Sequence, residues 1–168
     1  MIWATLGGVT VGLGVLLNHL IEWYPGWKQL QKKPVPFALD LAPFLLAWAY
    51  GALGILSVMG LIGWGFDTAL WALNWLGDAA LWLGVGVKPG QVSHGAYLPL
   101  TTTGSALVVL LTVVVFAIRR KKPWKTVVTR GMICGLCLGT SSGVAGLAAV
   151  PLAQGANEVG ALLFGAIA

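Results

Sequence analysis

Residues able to do chemistry are sparse in this chain, and their spacing gives them little to do. It has two histidines, two cysteines and five acids among 168 residues. His19 and Glu22 lie three apart on one helix face. They could ligate a metal, but a hydrogen-bonded pair at a membrane interface is the simpler reading. His94 sits in Gln91-Val92-Ser93-His94-Gly95. Two histidines bracket a haem only at a shared depth, and the topology derived below places these two on opposite faces. Cys134 and Cys137 form a Cys-Gly-Leu-Cys motif, yet no second ligand pair follows and the neighbours are apolar. They read as two small core residues rather than a metal or redox centre. Neither a histidine nor an acid accompanies Ser141 and Ser142 in sequence, so no serine nucleophile is expected. The hydroxyls of Thr101, Thr102, Thr103 and Thr140 suit bonds to helix backbone. Neither a glycine-rich phosphate loop nor paired carboxylates are present. Asp67, Asp78, Lys88 and His94 are the one group of ionisable residues that could gather at a surface, and they read as a solvated rim. No cofactor, metal or catalytic activity is expected, and no motif identifies a family.

The elements that carry these residues belong in a membrane. Apolar residues make up 58% of the chain and charged ones 9%, against about a quarter charged in a soluble domain. So few charges could not solvate a globular surface. Ten basic residues outnumber five acidic ones. Six of the ten are Arg119, Arg120, Lys121, Lys122, Lys125 and Arg130, clustered beside a long apolar run. Such a cluster points to anionic lipid headgroups rather than nucleic acid. The N-terminus lacks the positive region of a cleavable signal, so residues 2–20 are expected to be a retained span.

A helix needs about twenty apolar residues to cross the hydrocarbon. Four segments qualify: 2–20, 41–64, 100–118 and 131–152. The expected fold is therefore an all-α integral membrane protein, one transmembrane domain over 1–168. The polar, proline-interrupted stretch from Trp27 to Pro36 is the first loop, with Asp40 a suitable N-cap for the second helix. Arg119-Arg120-Lys121-Lys122-Pro123 closes the third span. Pro151 can kink a membrane helix without ending it, and the apolar tail to Ala168 is too short to span alone.

Residues 67–87 are long enough to span but contain Asp67, Asn74 and Asp78, which share one narrow helical stripe. Trp64, Trp71, Trp75 and Trp82 form a ridge beside it. Indole rings favour the headgroup region, so this segment is predicted to lie in the interface or to re-enter shallowly. Charge supports that choice. With 67–87 lying flat, nine basic residues share one face against Lys88 alone on the other, as the positive-inside rule prefers. Burying two aspartates would cost about 2.5–3.5 kcal/mol each at mid-membrane. The model of choice has basic loops cytoplasmic in a bacterial-type plasma membrane and both termini outside.

The best-patterned feature is Gly131, Gly135, Gly139 and Gly143, spaced by four and so aligned on one helix face. Lipid is as apolar as leucine, so helices in it associate by close packing, which a glycine face permits. That face could meet the first span, where Gly8 and Gly12 are similarly placed, or a second copy of the chain. The central parts of all four spans contain no ionisable residue, unlike proton- or ion-coupled carriers. These features lead to an expectation of a self-associating membrane protein, a pore or a repeated subunit. An accessory subunit of a hetero-oligomeric complex is the alternative, and a lipid or solute enzyme or carrier the third choice. The expected partners are the bilayer and further membrane subunits, like or unlike.

Overall fold

The computed structural model describes residues 4–24, 34–57, 60–88, 90, 100–139, 141 and 144–165. The elements formed are all helices: α1 (Leu6–Trp23), α2 (Pro34–Leu56), α3 (Gly60–Val85), α4 (Thr102–Arg119), α5 (Lys125–Leu138) and α6 (Val144–Gly165). A 3₁₀ turn (Lys122–Trp124) joins α4 to α5. Three segments, Leu6–Trp23, Val35–Leu56 and Thr102–Arg119, are long and apolar enough to cross a membrane.

Side-chain contacts give the helix directions. The Trp23 indole N–H donates to the Phe37 carbonyl at 2.9 Å, and the His19 ring stacks on Phe44 with centroids 4.1 Å apart. α1 and α2 are therefore antiparallel. Arg130 pairs with Glu22, while Gly12 lies against Cys137 and Leu138, so α5 is antiparallel to α1 as well. α2 and α5 consequently run parallel, and they form the central pair of the bundle. The main core joins Tyr50, Leu53, Ile55, Leu70, Val108, Val115 and Val128.

α3 does not return along the bundle as a hairpin partner of α2 would. The chain leaves α2 at Ser57 and turns at Gly60, whose φ of 91° is open to glycine without strain. α3 then passes Gly54 and Tyr50 with Phe66 and reaches the first turn of α1 with Asn74 and Asp78. Just beyond it, the Gly90 carbonyl accepts from the Leu6 amide at 3.1 Å. Both ends of α3 thus lie at the end of the bundle where α1 begins.

Helix contacts divide the chain into two halves that repeat one another. α1 packs on α3 as α4 packs on α6. α1 packs on α5 as α4 packs on α2, α3 meets α5 as α6 meets α2, and the α2–α5 pair joins the halves.

Helix limits differ from the predicted spans where local backbone chemistry overrides hydropathy. The apolar run 41–64 is broken after Leu56, so Trp64 belongs to α3, and α2 starts seven residues earlier, at Pro34. Proline is well suited to a first helical turn. The predicted 67–87 helix is longer, running from Gly60 to Val85. The segment 131–152 forms two helices rather than one. Ser141 ends α5 by donating both its amide (3.1 Å) and its hydroxyl (2.8 Å) to the Leu138 carbonyl. A serine bonding back in this way competes with helix continuation. α5 is 14 residues long and rises about 21 Å, short of the ~30 Å of hydrocarbon.

Candidate functional site

The glycine ladder makes a close backbone contact, and makes it internally. A β-carbon on Gly131 would lie 2.5 Å from the Phe44 carbonyl oxygen and 2.9 Å from the Ala47 side chain. One on Gly135 would collide with the Trp48 carbonyl, and one on Gly139 would sit 2.9 Å from the Ala52 α-carbon. From the other side, Gly51 has the Met132 carbonyl oxygen 2.5 Å from its β position. Backbone thus meets backbone along the α2–α5 seam, where dispersion and Cα–H contacts act at short range. The partner of the ladder within the chain is α2 rather than the first span, one of the two possibilities that its sequence left open. Gly12 instead packs beside Cys137, and Gly8 against Asn74. Gly143 lies outside the described residues.

The starts of α1 and α4 are a second pair of built features. An α-helix leaves its first four N–H groups without internal partners, and at α1 all four are satisfied. Thr5 N donates to Asn74 Oδ1 at 3.2 Å, Leu6 N to the Gly90 carbonyl at 3.1 Å, Gly7 N to Asp78 Oδ1 at 3.1 Å, and Gly8 N to Thr5 Oγ1 at 3.2 Å. Asp78 also sets a carboxylate against the positive end of the helix dipole. At α4 the same device recurs. Asn157 Oδ1 accepts from Thr101 N at 2.9 Å and from Thr101 Oγ1 at 3.0 Å, while Gly104 N donates to Thr101 Oγ1 at 3.1 Å. Gly77 and Gly160 permit the close approach, since a β-carbon would meet the backbone of Gly7 in one case and of Thr103 in the other.

This corrects the sequence reading of the polar stripe. Asn74 is buried and Asp78 half-buried, both turned toward α1 rather than toward water. The clue was present in duplicate. Thr5-x-x-Gly8 is matched by Asn74-x-x-Gly77, and Thr101-x-x-Gly104 by Asn157-x-x-Gly160. Lys32-Lys33-Pro34 and Lys121-Lys122-Pro123 occupy the corresponding connections.

The remaining predicted residues are dispersed. Trp64, Trp71, Trp75 and Trp82 face outward, 60–71% exposed. Arg120, Lys121, Lys122 and Lys125 are exposed around the 3₁₀ turn, and Arg119 is half-buried with its guanidinium 5.8 Å from the centre of the Phe116 ring. Arg130 leaves the basic cluster to pair with Glu22, which also accepts from Asn18 at 3.1 Å. Glu22 is therefore engaged with Arg130 and Asn18 rather than His19. His19 is buried against Phe44, and its Nε2 has no hydrogen-bond partner among the described residues. Cys134 and Cys137 are buried free thiols. Among the described residues, no three potential metal ligands come together. Lys88 is exposed, whereas His94 falls outside the described residues. The rim of Asp67, Asp78, Lys88 and His94 therefore loses Asp78, which serves the start of α1. Comparison with protein-family models, curated proteins and solved structures gives no match.

Proposed function

We propose that this protein is a structural subunit of a membrane assembly, repeated or accessory, with the tryptophan ridge of α3 as its contact surface. One observation carries this reading. The glycine ladder, the natural surface for self-association, is closed within the chain, whereas four tryptophans on one helix remain outward. Tryptophan is enriched where subunits meet and where protein meets the headgroup region, and a subunit held at the membrane surface would use both properties.

The topology that goes with this function has α1, α2, α4 and α5 crossing the bilayer, with α3 and α6 closing the outer surface. α5 crosses with the help of the 3₁₀ turn before it. The basic 3₁₀ turn and the Lys28–Pro34 loop then share the cytoplasmic face, as the positive-inside rule requires. No reaction is assigned to the chain. Carriers built from parallel repeats hold their substrate between them, and here backbone contact at Gly51, Gly131 and Gly135 fills that place.

The test is the mass of the protein purified in detergent and in nanodiscs, alone and after membrane crosslinking, for wild type and for Trp71→Ala/Trp75→Ala. A multi-copy particle, or a complex with another membrane protein, is expected, and it should dissociate in the tryptophan variant. A lone 17.6 kDa chain without a crosslinked partner would overturn the reading, as would a complex that survives the substitutions.

A further inference from the structure

An apolar groove of about 610 Å³ runs between α3 on one side and α4 and α5 on the other. This volume falls within the range of sites for small ligands, about 300–1,000 Å³. Its walls include Tyr50, Phe66, Phe116, Met132 and Leu136, and Arg119 stands at the end next to the basic turn. The hydroxyls in the lining already have partners. Tyr50 donates to Thr112 at 3.0 Å, Thr112 to the Val108 carbonyl at 2.8 Å, and Thr129 to the Lys125 carbonyl at 2.8 Å.

That leaves Arg119 as the one charged group in the lining. Among the described residues no carboxylate forms an ion pair with it, since Glu22 is taken by Arg130. Its guanidinium therefore keeps its donors for an outside group, with Arg120, Lys121 and Lys122 exposed beside it. A long hydrocarbon slot ending in a guanidinium fits one ligand chemistry, an acyl chain joined to an anionic headgroup. Arginine binds phosphate oxygens in bidentate fashion, and basic residues next to a span attract anionic lipid of the same leaflet.

We propose that the groove is a binding site for one anionic phospholipid, its acyl chain between α3 and α4 and its phosphate on Arg119. The site requires the membrane topology given above but not assembly into a larger particle. Gly65 is a second handle on it. Gly65 lines the groove, and no atom lies within 4 Å of where its β-carbon would be. Leucine there fills the slot without disturbing the packing behind it.

The experiment is native mass spectrometry of the full chain in detergent, titrated with dioleoyl phosphatidylglycerol or dioleoyl phosphatidylcholine. Copy number and lipid adducts are read separately in the same spectra, so failure of the assembly proposal and failure of this one can be told apart. One phosphatidylglycerol per chain is expected, favoured over phosphatidylcholine by roughly tenfold, because both headgroups carry a phosphate but the choline cation of the second offsets its charge beside Arg119. Arg119→Gln should abolish the preference, whereas Arg120→Gln should leave it in place. Gly65→Leu, its helicity checked by circular dichroism, should lose the adduct. Equal retention of the two lipids would overturn the proposal. So would an unchanged preference in Arg119→Gln, an adduct that survives Gly65→Leu, or displacement of the lipid by inorganic phosphate alone.

Discussion

Replacing Gly135 by alanine should push α2 away from α5 and weaken the fold while leaving the copy number unchanged. The obstructing atom is the backbone carbonyl of Trp48, which cannot rotate aside as a side chain could. The helices must part by on the order of 1 Å. A gap of that size forfeits roughly a quarter to a half of each contact's ~0.1–0.2 kcal/mol. Over on the order of 40–60 heavy-atom contacts, as many as one buried leucine makes, the loss is about 2–4 kcal/mol. Alanine's better helix propensity returns up to ~1 kcal/mol, leaving a net cost of roughly 1–3 kcal/mol, the usual scale of overpacking. Gly14→Ala is the matched control, because no atom lies within 4 Å of its β position, and it should be neutral or slightly stabilising. The assay is equilibrium unfolding in mixed dodecyl maltoside and dodecyl sulfate micelles, followed by tryptophan fluorescence, with light scattering on the same samples. A Gly135→Ala protein that unfolds with wild type would refute the seam. A smaller particle of unchanged stability would show that the ladder joins separate chains.

Other substitutions test the remaining features. Asn157→Ala removes two hydrogen bonds at the start of α4 and should cost about 1–3 kcal/mol in the same unfolding assay; Asn157→Asp, which keeps the acceptor and adds negative charge at the helix N-terminus, should restore most of the loss. His19→Phe removes a buried nitrogen that lacks a partner among the described residues and keeps a ring against Phe44, so stability should hold or rise, by up to ~1–3 kcal/mol. A fall as large as that of Asn157→Ala would mean that His19 bonds to something in the native membrane. Cys134 and Cys137 are both 0% exposed and should resist a membrane-permeant maleimide until the bundle unfolds, then react together. Labelling of one thiol in the native protein would show that α5 opens locally.

Hydropathy placed α1 and α4 within a few residues of their ends, because long apolar runs without charge have few alternatives, whereas α2 lies several residues ahead of the predicted 41–64 at both ends. It failed where one residue's backbone decides. Nothing in the composition of 41–64 marks Gly60 as a turn, since its neighbours on either side are equally apolar. Ser141 reads as a small helix residue until its hydroxyl is seen bonded to Leu138. The glycine ladder was legible as a tight contact, but spacing alone is silent on which helix fills it. Asn74 and Asp78 were misread for a physical reason. A polar stripe on an apolar helix can face water or can supply acceptors to the start of a neighbouring helix. The period of the stripe is the same in both cases, and only the second occurrence of the pattern, at Thr101 and Asn157, separates them.

The parallel course of α2 and α5 fixes a parity. Two halves that enter from the same side can be joined in one chain only if each makes an even number of crossings before handing over to the next. A half with three helices can meet that condition when one of them stays at the side it started from, as α3 does with both ends beside the start of α1. The contacts that unite the halves are those by which a half-length chain of the same design would pair with a copy of itself. Cutting the chain between Lys88 and Leu100 should therefore leave two fragments that find each other through Gly51, Gly131 and Gly135.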